Sequence, residues 1–208
     1  MTETAPDRSE PHDVEGAVIQ AAMTLAAERG WRSVTLSAIA AAAGLSMADL
    51  YARFPTKASI LAALGRRADL HVAAAEIRDD DRPRDRLFDA VMRRFDHMAP
   101  YREGLRSVLR DLPADPLAAL CAGPALARSM RWTLETAGLD TSGIAGIARV
   151  KALSAAYLAT VAVWVGDDTP DQARTMARLD RALRRVDGWT RLFGGDAAPA
   201  APSGSAAV

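Results

Sequence analysis

Cysteine is almost missing from this 208-residue chain, where Cys121 stands alone. A single thiol cannot close an internal disulfide, which excludes a covalently stapled fold and makes the reducing cytoplasm the expected location. Cys121 is expected to serve as a small buried hydrophobe rather than a redox sensor. Histidine is nearly as scarce: His12, His71 and His97 lie far apart without neighbouring ligand patterns, so no metal site is expected. Nothing assembles a nucleophile, a base and an orienting group, and there is no nucleotide loop. The expected protein is therefore not an enzyme and carries no cofactor.

Net charge is also lacking. The chain has 26 basic and 26 acidic residues, so its overall field announces no polyanionic partner, and any nucleic-acid reading must rest on local features. Long apolar runs are missing too. Met1 to His12 is polar and acidic with two prolines and lacks the apolar core of a signal peptide, so residues 1–12 read as a loose arm. The most apolar stretch, Ala152 to Val165, is shorter than the roughly 20 residues that span a bilayer. It reads as a buried helix, with no stable membrane insertion. Residues 194–208 contain only Gly, Asp, Ala, Pro, Ser and Val and present no periodic apolar face, so disorder is expected there.

What the chain does have is alanine and helical periodicity. Half of it is apolar, aromatics are only 5%, and apolar spacings of three and four recur without any alternating strand pattern. The fold class is all-α. A first helix is expected from Asp13 as N-cap to Gly30, which suits a left-handed C-terminal conformation. A second spans about Leu36 to Ala43 after Thr35. A third follows Ser46, with Asp49 placed for a shortened capping box, and ends at Pro55. A fourth starts near Lys57 and carries Ile60, Leu61, Leu64, Ala68 and Val72 toward Ile77.

The run Asp79 to Pro83 marks a break, after which Leu87, Phe88, Val91, Met92 and Phe95 define another amphipathic helix. Pro100, Pro113, Pro116 and Pro124 are expected to divide the next stretch into short helices. A helix with Trp132 and Leu134 should finish near Gly138, and Ile144 to Val165 outlines a longer one. For the last helix, Thr169 is the expected N-cap, with Pro170 in the first turn and Gln172 closing a box. Met176, Leu179, Leu183, Val186 and Trp189 form its apolar stripe, and Arg174, Arg178, Arg181, Arg184 and Arg185 its basic face.

Two short helices joined by Ala43-Gly44-Leu45-Ser46 make a helix-turn-helix over about residues 35–54, the glycine permitting the sharp turn and the serine capping the next helix. The string Thr35-Leu-Ser-Ala-Ile-Ala-Ala-Ala-Ala-Gly-Leu-Ser-Met-Ala-Asp-Leu-Tyr-Ala-Arg-Phe-Pro-Thr-Lys57 resembles the N-terminal domain of TetR-family transcriptional regulators. Ile39-Ala40 before the turn, Leu50-Tyr51-x-x-Phe54 in the recognition helix and Lys57 at the next helix carry that resemblance, which covers about residues 13–64. It implies a DNA-binding domain at 13–64 and a helical effector-binding and dimerisation domain at 65–193.

The resemblance further implies a homodimer on a double-stranded DNA operator, with a small hydrophobic effector releasing a repressor. Thr35, Tyr51 and Lys57 would hold phosphates, while Ser46, Met47, Ala48, Asp49 and Arg53 would stand nearest the bases or backbone. Leu50 and Phe54 read as core, and Tyr51 could pack its ring inward with only its hydroxyl at the surface. Asp49 is open between helix capping and accepting from a cytosine amino group. Residues 1–72 carry seven Arg or Lys against eight Asp or Glu, so counterion release should be small and the salt dependence shallow.

Tyr101, Met130, Trp132, Tyr157 and Trp164 are the candidates to line an effector pocket, each with ordinary core packing as the alternative. The C-terminal half, including Tyr157, Trp164, Asp167-Asp168-Thr169 and Thr175, is also similar to lipid-binding ubiquinone-biosynthesis proteins of the TetR fold. That resemblance implies an isoprenoid or lipid binder without DNA binding.

Overall fold

In the computed structural model, which describes residues 13–74, 82–112 and 116–193 apart from the side chains of 116–121 and 186–193, Asp13 opens the first helix. The expectations for the arm at 1–12, Ile77, the acidic break at 79–81, Pro113, Cys121, Val186, Trp189 and the tail at 194–208 lie outside the described residues. Helix α1 runs Val14–Arg29, and the Asp13 carboxylate accepts from the Gly16 amide at 2.9 Å while pairing with Arg67. The Gly16 amide and then the Arg67 guanidinium hold this carboxyl below its ordinary range. Gly30 ends the helix at φ +83° and ψ 140°. That is an extended conformation with positive φ, not the expected left-handed helical stop, and it feeds a single 3₁₀ turn at Trp31–Ser33.

Helices α2 (Leu36–Ala42) and α3 (Met47–Arg53) follow, with Thr35 and Ser46 as N-caps and Gly44 at φ +68° between them. Val18, Ile19, Ile39, Leu50 and Phe54 bury the apolar faces of α1 to α3 together. Helix α4 (Lys57–Ala73) begins with a complete capping box between Thr56 and Ser59, and its Ile60, Ala63, Leu64 and Ala68 are buried. It packs back on α1 and forward on the C-terminal helices. A single helix thus belongs to both halves.

Those C-terminal helices are α5 (Pro83–Met98), α6 (Arg102–Asp111), α7 (Pro116–Thr136), α8 (Gly143–Trp164) and α9 (Ala173–Phe193). No strand occurs among the described residues. Phe95 of α5 stacks on both Tyr157 and Trp164 of α8, with ring centroids 5.6 and 5.2 Å apart, at the centre of this half. Arg84 of α5 and Arg184 both pair with Asp180, tying α5 to α9.

Two expectations need correction. Pro124 does not divide the chain but lies inside the 21-residue α7. A proline there removes one helical hydrogen bond, and its exposed position puts the defect on the solvent side, where a freed carbonyl can meet water. The last helix starts at Ala173 rather than after Thr169, because Gln172 takes φ +53° and breaks the helical path. The cap is shared: the Thr169 hydroxyl and the Asp171 carboxylate accept from the Ala173 amide at 3.1 and 3.2 Å, and the carboxylate of the buried Asp167 accepts from the amide and hydroxyl of Thr175 at 2.8 and 2.7 Å and from the Thr169 hydroxyl at 2.6 Å. Burial opposes the charge on Asp167, but these hydroxyls and amides outweigh it and hold the carboxyl far below its ordinary range.

Helix α8 is long and apolar enough, by length and composition, to cross a membrane. Val150, Leu153, Tyr157, Val161 and Trp164 on one face are buried, and the helix packs on α7 and α9. Its other face exposes Ile144, at 88%, with Ile147 and Leu158 in helical register, an apolar stripe left exposed among the described residues.

Candidate functional site

The helix-turn-helix presents a small, mostly uncharged surface. Thr35, Ser46, Ala48, Asp49 and Arg53 are exposed, as are Met47 at 46% and Tyr51 at 64%. Leu50 and Phe54, next in sequence to Tyr51 and Arg53 but on the helix's other side, are buried. This follows from the helical repeat, which turns every third or fourth side chain to the same face. Tyr51 does not pack its ring inward. It projects from α3 beside Met47, one helical turn earlier.

Asp49 is engaged as a cap partner. Its amide donates to Ser46 Oγ at 3.1 Å, and the Ser46 hydroxyl donates to its carboxylate at 2.5 Å. The return bond is made by the hydroxyl instead of the Ser46 amide, because the aspartate side chain is one methylene shorter than the glutamate of a full capping box. Lys57 is turned inward. Its Nζ donates to the Trp31 carbonyl at 2.7 Å and lies 4.8 Å above the Trp31 ring, so this ammonium fixes the turn after α1.

The head is held to the C-terminal half by more than α4. The Trp31 amide donates to Ser107 Oγ at 2.9 Å, and the Arg32 amide to the Asp111 carboxylate at 3.0 Å, both acceptors standing on α6. Gly104, one turn earlier on α6, lies so close to Met23 of α1 that a Cβ would sit 2.5 Å from the Met23 carbonyl oxygen. A glycine is what lets α6 and α1 approach to this distance.

Behind these contacts, α4, α5, α6, α7 and α8 line a partly open cavity of about 360 Å³, within the size range of small-molecule sites. Leu61, Leu105, Val108, Leu126 and Val161 belong to its apolar wall. Of the five aromatic and methionine residues expected there, only Tyr157 borders it. Met130 and Trp164 are fully buried in the core, Tyr101 packs partly buried against it, and Trp132 is 46% exposed on α7. Large apolar side chains that point inward fill the helix junctions first, so the space left over is walled by smaller ones.

The cavity's polar corner was not anticipated. Arg94 of α5 is 3% exposed and pairs with Asp69 of α4, to which Ser129 also donates at 2.8 Å. Arg94 Nε reaches the Tyr157 hydroxyl at 3.3 Å. Burial works against the Arg94 charge, but the neighbouring Tyr157 and Asp69 outweigh it and strengthen its hold on the proton. Outside this corner His71 of α4 stacks on His97 of α5 at 4.8 Å, and burial, with His71, Arg67 and Arg94 nearby, lowers the affinity of His97 for a proton. Among the described residues no three His, Cys, Asp or Glu side chains group as a metal site.

Comparison with known proteins places this geometry. Residues 18–64 match the model of the N-terminal domain of the tetR family of bacterial regulatory proteins. No curated protein matches the sequence. Among solved structures, a TetR transcriptional regulator from Nitrosomonas europaea superposes with a TM-score of 0.65 at 24% identity, covering 84% of this chain and 98% of that one. One from Rhodococcus sp. RHA1 gives 0.61 at 15% identity, covering 85% and 97%. A TetR variant from Acinetobacter baumannii AYE in complex with minocycline gives 0.53 at 21% identity, covering 86% and 98%. The chain has the TetR regulator fold, with a tetR-family helix-turn-helix at its front.

Proposed function

We propose that this chain is a cytoplasmic, homodimeric transcriptional regulator that binds an operator through α3 and is released from it, as a repressor, by a small apolar effector in the α4–α8 cavity. The single observation that carries the reading is the match of residues 18–64 to tetR-family regulators, on the segment whose exposed face is Thr35, Ser46 to Asp49, Tyr51 and Arg53. In this reading residues 13–64 are the DNA-binding domain and 65–193 the effector and dimerisation domain. Helix α3 enters the major groove, Tyr51 and Thr35 hold phosphates, and Met47, Ala48 and Arg53 meet base edges or backbone. Lys57 contributes to a phosphate only as far as its bond to Trp31 allows, and Asp49 serves chiefly as the cap of α3.

Dimerisation gives a role to the apolar stripe of α8. Ile144, Ile147 and Leu158 would meet the same face of a second copy, with the basic face of α9 flanking it, and a two-fold pair of heads matches two operator half-sites. The effector reading has a precedent of kind in the relative bound to minocycline. A ligand acts only by binding one head spacing better than the other.

The test is selection of duplex DNA from a random pool by the purified protein, followed by mass spectrometry of whatever small molecules leave it on denaturation. Enrichment of a two-fold symmetric site about one helical turn between half-sites is expected. A pool that stays random, together with a copurifying isoprenoid or lipid, would overturn the regulator in favour of a lipid binder of the same fold.

A further inference from the structure

The polar corner of the cavity carries more charge logic than an apolar effector requires. Among the described residues four charged side chains border the cavity: Arg66, Arg94 and Arg128 against Asp69. Arg66 is exposed and pairs with Glu15 at 2.5 Å, and Arg128 is exposed, so Arg94 is the buried charge of the set. Asp69, its counterion, already accepts from both Arg94 Nη1 and Ser129. A cationic ligand would therefore meet an excess of positive charge and a carboxylate already engaged.

Apart from its pairing with Asp69, the guanidinium is held by long bonds only. Arg94 Nη2 reaches the Gly65 carbonyl at 3.4 Å, a long bond for an N–H donor, and Nε reaches Tyr157 at 3.3 Å. Gly65 itself keeps the space beside it open, since a Cβ there would stand 3.6 Å from Nη2. An anionic group in the cavity would gain charge-assisted bonds from this planar fork, whereas an alcohol would gain one weak bond and a hydrocarbon none.

We propose that the cavity is an acid site: it takes an amphipathic carboxylic acid whose carboxylate binds Arg94 in competition with Asp69, with its chain among Leu61, Leu105, Val108 and Leu126. This rests on the effector reading above and names its chemical class. The competition has a mechanical consequence. Asp69 belongs to α4, the helix that also carries Lys57, so a ligand carboxylate on Arg94 weakens the tie between α4 and α5 and leaves Asp69, which keeps partial access to solvent, to turn outward.

Full-length protein without DNA is titrated calorimetrically at neutral pH with decanoate, decanol and decylamine. Decanoate is expected to bind at least about tenfold tighter than decanol, with decylamine weakest. Asp69→Asn, which removes the competing carboxylate, is expected to raise decanoate affinity severalfold and leave decanol unchanged, and Arg94→Gln to erase the preference for the acid. Should Arg94→Gln fail to fold, the Asp69→Asn comparison decides alone. Equal affinities for acid and alcohol, an Asp69→Asn effect shared by both, or no binding of any of the three would overturn the proposal. Because no DNA is present, that failure leaves the operator reading intact, while decanoate selectivity in a protein that selects no DNA would sink only the regulator.

Discussion

The amide of Trp31 and the hydroxyl oxygen of Ser107, 76 positions apart, meet at 2.9 Å in a buried hydrogen bond between the helix-turn-helix head and α6. The carbonyl of the same residue accepts from Lys57 at the start of α4. Trp31 is thus gripped from both helices that border the cavity and reach the head. Helix α6 turns Leu105 and Val108 toward the cavity and Ser107 and Asp111 toward Trp31 and Arg32, so a shift of α6 reaches the head through two hydrogen bonds.

Replacing Ser107 by Ala is expected to leave the Trp31 amide buried without its acceptor, at a cost of about 1–3 kcal/mol. Urea denaturation should show a lower midpoint with an unchanged slope. An unchanged midpoint would show that Trp31 finds another acceptor and that this bond does not join the halves.

Gly104 is required for the close approach of α6 to α1. Gly104→Ala drives a methyl into the Met23 carbonyl and should destabilise by about 1–3 kcal/mol. A thermal melt of the variant beside the parent checks it. An unchanged or raised melting temperature would contradict the close approach of α6 to α1.

Asp167 sets an acid limit. Its folded-state affinity for a proton is depressed, so its contribution to stability is complete above the ordinary carboxyl range near pH 4 and is lost as pH falls below that. Asp167→Asn should be less stable than the parent at neutral pH, and the gap should narrow on acidification. A gap constant from neutral pH down to about pH 3 would contradict the ionised cap.

How much of this was legible in the sequence depended on range. The caps at Asp13, Thr35 and Ser46 each bond an amide three positions on, so spacing alone located them. The start of α9 was misplaced for the same reason. Thr169-Pro170-Asp171-Gln172 has the composition of a first turn, and the Thr169 hydroxyl does accept from the Ala173 amide, but the chain breaks the helical path at Gln172 and the Asp167 carboxylate reaches on to Thr175, which composition does not encode. In the cavity, aromatic side chains drew attention, yet only Tyr157 borders it. Arg94 had left a signal, because it falls on the buried face of α5 with Val91, Phe95 and Met98, an arginine inside an apolar stripe. Its partners Asp69 and Ser129 come from other helices, and no local pattern pairs them.

The central claim, that the exposed face of α3 reads DNA, is tested most directly by fluorescence anisotropy of the protein on its own upstream DNA and on a scrambled duplex across salt concentration, with Tyr51→Ala as the variant. Tyr51 suits better than Lys57, whose removal would also loosen Trp31. The prediction is preferential binding to the upstream DNA at low salt, a shallow salt slope, and a loss of about tenfold on Tyr51→Ala without a change in melting temperature. Equal binding of the two duplexes at low salt, or an affinity indifferent to Tyr51→Ala, would contradict it.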